Sequence, residues 1–128
     1  MKEHQNLFRD LQEDFRKMKK NLLVAQSGGP TAAINATLAG VIKQAIKEEQ
    51  IDQVYGACYG IQGVLEQKFV NLTEKVDTEE KLEKLKRTPA AALGSCRFKL
   101  NDIKEDDSQY QEIVDILHKM NIGYFVYI

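Results

Sequence analysis

The stretch LLVAQSGGPTAAINA, Leu22 to Ala36, runs from an apolar strand through a paired-glycine turn straight into a helix. The pair Gly28 and Gly29 lets the backbone approach an anion closely, and the unpaired N–H groups of a helix's first turn add donors and a partial positive charge. Pro30 suits that first turn, where an N–H would have no helical partner. The stretch is therefore a candidate phosphate cradle. It is not a Walker A loop, since no Gly-Lys-Ser/Thr follows, and it lacks the GxGxxG spacing of the dinucleotide fingerprint. A glycine pair that only turns the chain tightly is the competing reading at this point.

The chain has 128 residues, the length of one domain, with 43% hydrophobic and 29% charged residues, an ordinary globular balance. A net charge of -1 gives no field for steering to nucleic acid or to an acidic membrane, so neither is expected as a partner. Cys58 and Cys96 form no CxxC pair and have no neighbouring His, which argues against a metal site or a disulfide framework. A reducing, cytoplasmic setting is expected. No apolar run reaches the roughly 20 residues of a membrane span, and no secretion signal opens the sequence.

From the glycine turn outward, the pattern alternates. A strand is expected over Leu22–Gln26, a helix over Pro30–Glu49, a strand over Val54–Cys58, and then a turn at Gly60-Ile61-Gln62-Gly63. Such alternation predicts an α/β fold with a parallel sheet. In the first of these helices, Ile34, Leu38, Val41, Ile42 and Ala45 mark the buried face, with Ala32, Ala36, Ala39 and Gly40 allowing close approach to the sheet. A short helix is expected over Thr78–Lys86. After Pro89 and Ala90-Ala91-Ala92 comes the turn Leu93-Gly94-Ser95 with Arg97 just beyond. Ser108 and Gln111 have capping-box spacing for a helix with the stripe Tyr110, Ile113, Val114 and Leu117, ending at Asn121.

Two ends frame this pattern. Residues 1–18 are rich in charge and space Leu7, Leu11, Phe15 and Met18 as one helical stripe, which reads as an amphipathic arm ahead of a domain over 19–128. Met18 before Lys19-Lys20 would equally make a natural chain start. At the other end, Gly123-Tyr124-Phe125-Val126-Tyr127-Ile128 reads as a buried central strand that stops before the loop where α/β sheets carry ligand chemistry. The chain is accordingly expected to be a piece of a longer protein.

Four segments in order, SGGPTAAINATLAG leading to Gly40, YGACYGIQGVL over Tyr55–Leu65, LGSCRFKL over Leu93–Leu100 and the closing IGYFVYI, resemble the phosphofructokinase family, most of all its pyrophosphate-dependent branch. The resemblance runs from about Lys19 to Ile128. It implies a three-layer, Rossmann-like α/β sandwich with a mainly parallel sheet, here the truncated N-terminal portion of a phosphofructokinase-type domain. Gly28 and Gly29 match the loop whose backbone amide faces the phosphoryl donor, with Pro30 where the family more often has Asp. Arg97 matches the arginine that steadies the phosphoryl group in flight. A guanidinium is chemically suited to that work, since phosphoryl transfer is catalysed mainly by positioning and charge stabilisation. A surface salt bridge is the plainer role for Arg97.

Donor choice is implied by Cys58, which stands where relatives using ATP commonly place an aromatic residue against adenine. A small thiol favours pyrophosphate, although a small core residue at a strand end is the plainer reading. Phe98 is either core or a wall of the donor pocket, and Lys99 a possible donor-pocket charge or a solvent-facing lysine. His118, the mixed charges of Glu79–Arg87, and Asp102, Asp106 and Asp107 read as boundary or surface residues.

The resemblance thus implies a magnesium-dependent transfer from pyrophosphate to the 1-hydroxyl of fructose 6-phosphate, a step of glycolysis, in a homo-oligomer. The general base and the Mg2+ ligands would lie beyond residue 128, with no metal ligand in this piece, which would be inactive alone. An ATP-dependent 6-phosphofructokinase is the nearest alternative. A non-catalytic phosphate-sensing or assembly domain is the alternative of another class.

Overall fold

The computed structural model describes residues 2–26, 33–88, 91–94 and 107–128. Helix α1 spans Lys2–Met18 and leads into strand β1, Lys20–Ala25. Helix α2 follows over Ala33–Lys47, then strand β2 over Ile51–Ala57 and the short helix α3 over Gly60–Leu65. Strand β3, Phe69–Asn71, is followed by α4, Leu72–Lys75, and α5, Glu79–Lys86. Helix α6, Ser108–Lys119, and strand β4, Ile122–Tyr127, complete the described order.

The sheet order is β3-β2-β1-β4, with β1 parallel to both neighbours and β3 antiparallel to β2. β1 is buried on both faces, as its unbroken apolar run requires. Leu22 and Val24 join Leu38, Ile42, Val54, Leu72 and Leu82 on one face, packed beneath α2, α4 and α5. Leu23 and Ala25 join Ala57 and Val64 on the other, where Ile113 and Leu117 of α6 close over them. The result is the expected three-layer α/β sandwich. Each fully buried leucine or isoleucine in it contributes about 1.5–3 kcal/mol through burial.

Several local expectations differ from what the fold does. Asn35, rather than Ile34, is buried beside Leu38, Ala39, Ile42 and Ala45 in α2, while Ala36 and Gly40 face outward. Of Ala36, Ala39 and Gly40, only Ala39 is therefore buried in the contact with the sheet. Gly60 to Gly63 form the first turn of α3 rather than an open turn, and β3 and α4 carry too few residues to show a period. Thr78 caps α5 as a side-chain acceptor for the Lys81 N–H at 3.2 Å. At α6, Asp107 takes the N-cap position, so Ser108 is already helical, and Ile116 is buried where Val114 had been expected.

The reading of β4 as a buried central strand concerns a sheet longer than these four strands. Among the described residues it pairs only with β1, and Tyr124, Phe125 and Tyr127 are 40%, 39% and 49% exposed. An apolar β-type run shows that the faces suit burial, but cover comes from whatever packs there. Helix α1 is likewise amphipathic, with Leu7, Phe8, Leu11 and Met18 all more than half exposed.

Candidate functional site

The carboxyl end of β1 is where the fold concentrates polar groups inside the protein. α2 leaves β1 on one face of the sheet while α6 enters the parallel strand β4 from the other, so the order of strand addition switches sides at β1. A crevice at the carboxyl ends of strands beside such a switch point is the usual ligand position in open α/β sheets. Ile128 closes the register there, its N–H donating to the Ala25 carbonyl at 2.9 Å.

Gln26 follows β1 directly and is fully buried, as is Asn35 in the first turns of α2. Buried amides are tolerated only where their donors and acceptors are satisfied, and here they satisfy each other. Gln26 Nε2 donates to Asn35 Oδ1 at 3.1 Å and lies 3.5 Å from the Ile34 carbonyl. Gln26 Oε1 accepts the Leu93 N–H at 2.8 Å, and Asn35 Oδ1 accepts the Ala92 N–H at 2.9 Å. Asn35 Nδ2 donates to the Thr88 carbonyl at 2.6 Å. Three parts of the chain, the end of β1, the start of α2 and residues 88–93, are thereby tied at one point.

The end of β2 is fastened to the same place. Tyr59 has φ of 64°, an unusual left-handed conformation for a residue with a side chain, and its N–H donates to the Leu93 carbonyl at 2.9 Å. Its ring lies over Gly94, whose φ is 79°. Cys58 is half-buried, and its N–H donates to the Lys68 carbonyl at 2.9 Å. Lys68 Nζ pairs with Glu66 at 2.9 Å. That hydrogen bond and the carboxylate charge raise the Lys68 ammonium above its ordinary value, with smaller contributions in the same direction from Tyr59 and Cys58. Lys68, paired with Glu66, therefore stands as a cation beside the end of β2.

Of the residues singled out from sequence, Cys58 is placed at this carboxyl edge. Gly28, Gly29, Arg97, Phe98 and Lys99 lie outside the described residues, as do Pro30, Ala32, Cys96, Asp102 and Asp106. The described chain does place what flanks them. Gln26 precedes the glycine turn, Asn35 follows it, and Leu93-Gly94 leads toward Arg97, so the Gln26–Asn35–Leu93 bonds join the approaches to both segments.

Sequence reading missed Gln26, Asn35 and Tyr59. A polar residue on the buried stripe of α2 was the available sign for Asn35. Nothing local marks Tyr59 as left-handed. Among the described residues, no three His, Cys, Asp or Glu side chains converge as a metal site, and no helix is long and apolar enough to cross a membrane.

Comparison with known proteins gives this geometry a context. Residues 21–128 match the family model described as Phosphofructokinase. The pyrophosphate–fructose 6-phosphate 1-phosphotransferase of Rhodospirillum rubrum is 40% identical over 110 residues, covering 86% of this chain and 26% of that protein. The protein of the same name from Halomonas elongata is 39% identical over 108 residues, covering 84% of this chain and 25% of its own length. The crystal structure of the pyrophosphate-dependent phosphofructokinase from Nitrosospira multiformis superposes with a TM-score of 0.74 at 36% identity, over 84% of this chain and 26% of that one. The chain spans about a quarter of the length of the curated relatives it matches.

Proposed function

Because the chain belongs to the phosphofructokinase family, we propose that it supplies part of the donor side of an enzyme moving a phosphoryl group from pyrophosphate to the 1-hydroxyl of fructose 6-phosphate. The observation that carries this reading is the Gln26 Oε1 to Leu93 N bond of 2.8 Å, which joins the approach to the glycine turn to the approach to Arg97 at the sheet's carboxyl edge. Relatives named for pyrophosphate support the choice of donor.

In this reading the backbone amides at Gly28 and Gly29 donate to donor phosphate oxygens, and the Arg97 guanidinium neutralises charge on the phosphoryl group in transit. The 1-hydroxyl oxygen bonds to one phosphorus, the bridging P–O bond breaks and orthophosphate leaves. The hydroxyl proton passes to a base that the family resemblance puts beyond residue 128. Phe98 borders the donor phosphates. Cys58, with no aromatic ring of its own, does not supply the adenine-stacking partner that the resemblance puts at this position in ATP-using relatives, and Lys99 adds a cation nearby.

Magnesium, when bound, would screen the donor phosphates. The described residues offer no ligand cluster for it, so none of them is given a step through the metal. The reading also places the enzyme in glycolysis and the cytoplasm, as a homo-oligomer, with residues 1–18 as an arm outside the domain over 19–128.

The test is turnover of fructose 6-phosphate by the full-length protein with pyrophosphate or ATP, with magnesium, alongside Arg97→Ala. Turnover with pyrophosphate alone, reduced about 100-fold or more by the substitution, supports the reading. Turnover with ATP alone keeps the family and overturns the donor. Turnover with neither points to a phosphate-sensing or assembly role.

A further inference from the structure

Gln26 is buried, polar and held by hydrogen bonds at both ends of its amide. Its neighbours along β1, Leu23, Val24 and Ala25, are apolar and equally buried. An amide is kept in such surroundings at a desolvation cost that only directed hydrogen bonds offset. The two ends of this amide have different partners. Oε1 needs the Leu93 N–H, and Nε2 needs Asn35 Oδ1, so one orientation satisfies both. Asn35 is fixed in turn by Ala92 N and the Thr88 carbonyl, which sets its own oxygen toward Gln26.

These bonds lie at one end of the sheet and link segments 67 and 57 residues apart in sequence. Gln26 is the last described residue before the glycine turn, and Leu93 comes four residues before Arg97. We infer that Gln26, backed by Asn35, is a positioning residue that couples the glycine turn to the Arg97 segment, so that both act on the same phosphoryl group as a unit. This rests on the reading of those segments as the donor side. Phosphoryl transfer gives such coupling its leverage, because a misplacement of about 1 Å in an otherwise intact site can cost about 100-fold in rate.

A purely structural tie and a positioning tie differ in how they combine with Arg97. The experiment is a double-mutant cycle in the full-length protein with Gln26→Met, Arg97→Ala and the pair, reading kcat and both KM values with pyrophosphate, and the thermal midpoint of each variant. Gln26→Met keeps length and volume while removing the side chain's hydrogen bonds. The expected result is a loss of about 10- to 30-fold in kcat in the native background, shrinking to less than about threefold once Arg97 is absent. The KM for fructose 6-phosphate stays within about twofold.

Gln26→Glu provides the conservative rescue. Burial favours its protonated carboxyl, which again offers one acceptor and one donor, and it recovers most of the lost kcat. If Gln26→Met does not fold, Gln26→Ser goes through the same cycle. Equal fold-losses with and without Arg97, or an unchanged kcat, would overturn the inference while leaving the donor reading intact. If the native protein turns over only with ATP, the donor reading falls and the same cycle is read with ATP. If it turns over with neither, both fall together.

Discussion

A Cβ built on Gly63 would overlap the Cys58 carbonyl oxygen, because the first turn of α3 is pressed against the end of β2. The contact is backbone to backbone. The Gly63 carbonyl also accepts the Lys68 N–H at 2.8 Å, and the Cys58 N–H is held by the Lys68 carbonyl at 2.9 Å. No side chain can swing aside to make room, so Gly63→Ala must move α3 or break this knot. The expected loss is about 3 kcal/mol of stability, at the upper end of overpacking effects. Urea unfolding measures it, and a loss below about 1 kcal/mol would show that α3 yields freely.

Gly94 and Tyr59 make a softer version of the same constraint. A Cβ on Gly94 would lie 2.8 Å from the Tyr59 ring, and Gly94 holds a φ of 79°. Gly94→Ala therefore pays twice, once for its backbone conformation, about 1 kcal/mol, and once for the ring it displaces. In a Tyr59→Ala background the second contribution disappears while the first persists. Thermal or urea midpoints of the four proteins should show the Gly94→Ala cost falling to about 1 kcal/mol when the ring is gone. An unchanged cost would mean that the ring does not bear on Gly94.

Asn35 invites a test of stability separate from catalysis. Replacing it with leucine keeps the stripe of Leu38, Ile42 and Ala45 continuous, which from pattern alone looks favourable. The substitution nevertheless deprives Gln26 Nε2, Ala92 N and the Thr88 carbonyl of their partner. The Gln26 amide is buried and the other two groups partly so, and leaving a buried polar group unpaired costs about 1–3 kcal/mol. Asn35→Leu is expected to lower stability by about 2–4 kcal/mol in urea unfolding, and a stabilised variant would refute this account of the network.

The same residues explain which parts of the fold were legible in the sequence. Leu22 to Ala25 form a run that only a two-sided strand explains, and Leu38, Ile42 and Ala45 recur at helical spacing, so the α/β alternation is a local property. Thr78 announced its helix for the same reason, since a cap is a contact three residues long. Gln26 and Asn35 could not be read in this way. Their burial depends on Ala92 and Leu93, more than fifty residues onward, and period alone assigns polar residues to solvent. β4 was legible as an apolar strand, whereas what covers its faces depends on neighbours that a strand's own sequence does not name.

Glu66 offers a pH dependence whose sign can be worked out. Its carboxyl is held below the ordinary value, first by the hydrogen bond from Lys68, then by that from Gln62 and by the Lys68 charge. A group with a depressed folded-state value binds its proton less readily in the folded protein than in the unfolded chain. Its contribution to stability is therefore present above the unfolded carboxylate value and is lost as the pH falls through the folded one. Glu66→Gln removes the titrating group while preserving the shape. The native protein should be slightly the more stable at neutral pH, and the two should converge at an acidic pH below the folded-state value of Glu66, where both side chains are neutral. Because the pair stands at the surface, the difference is small and shrinks further in salt. Urea midpoints at the two pH values, with and without added salt, check the sign. A gap that widens on acidification would contradict it.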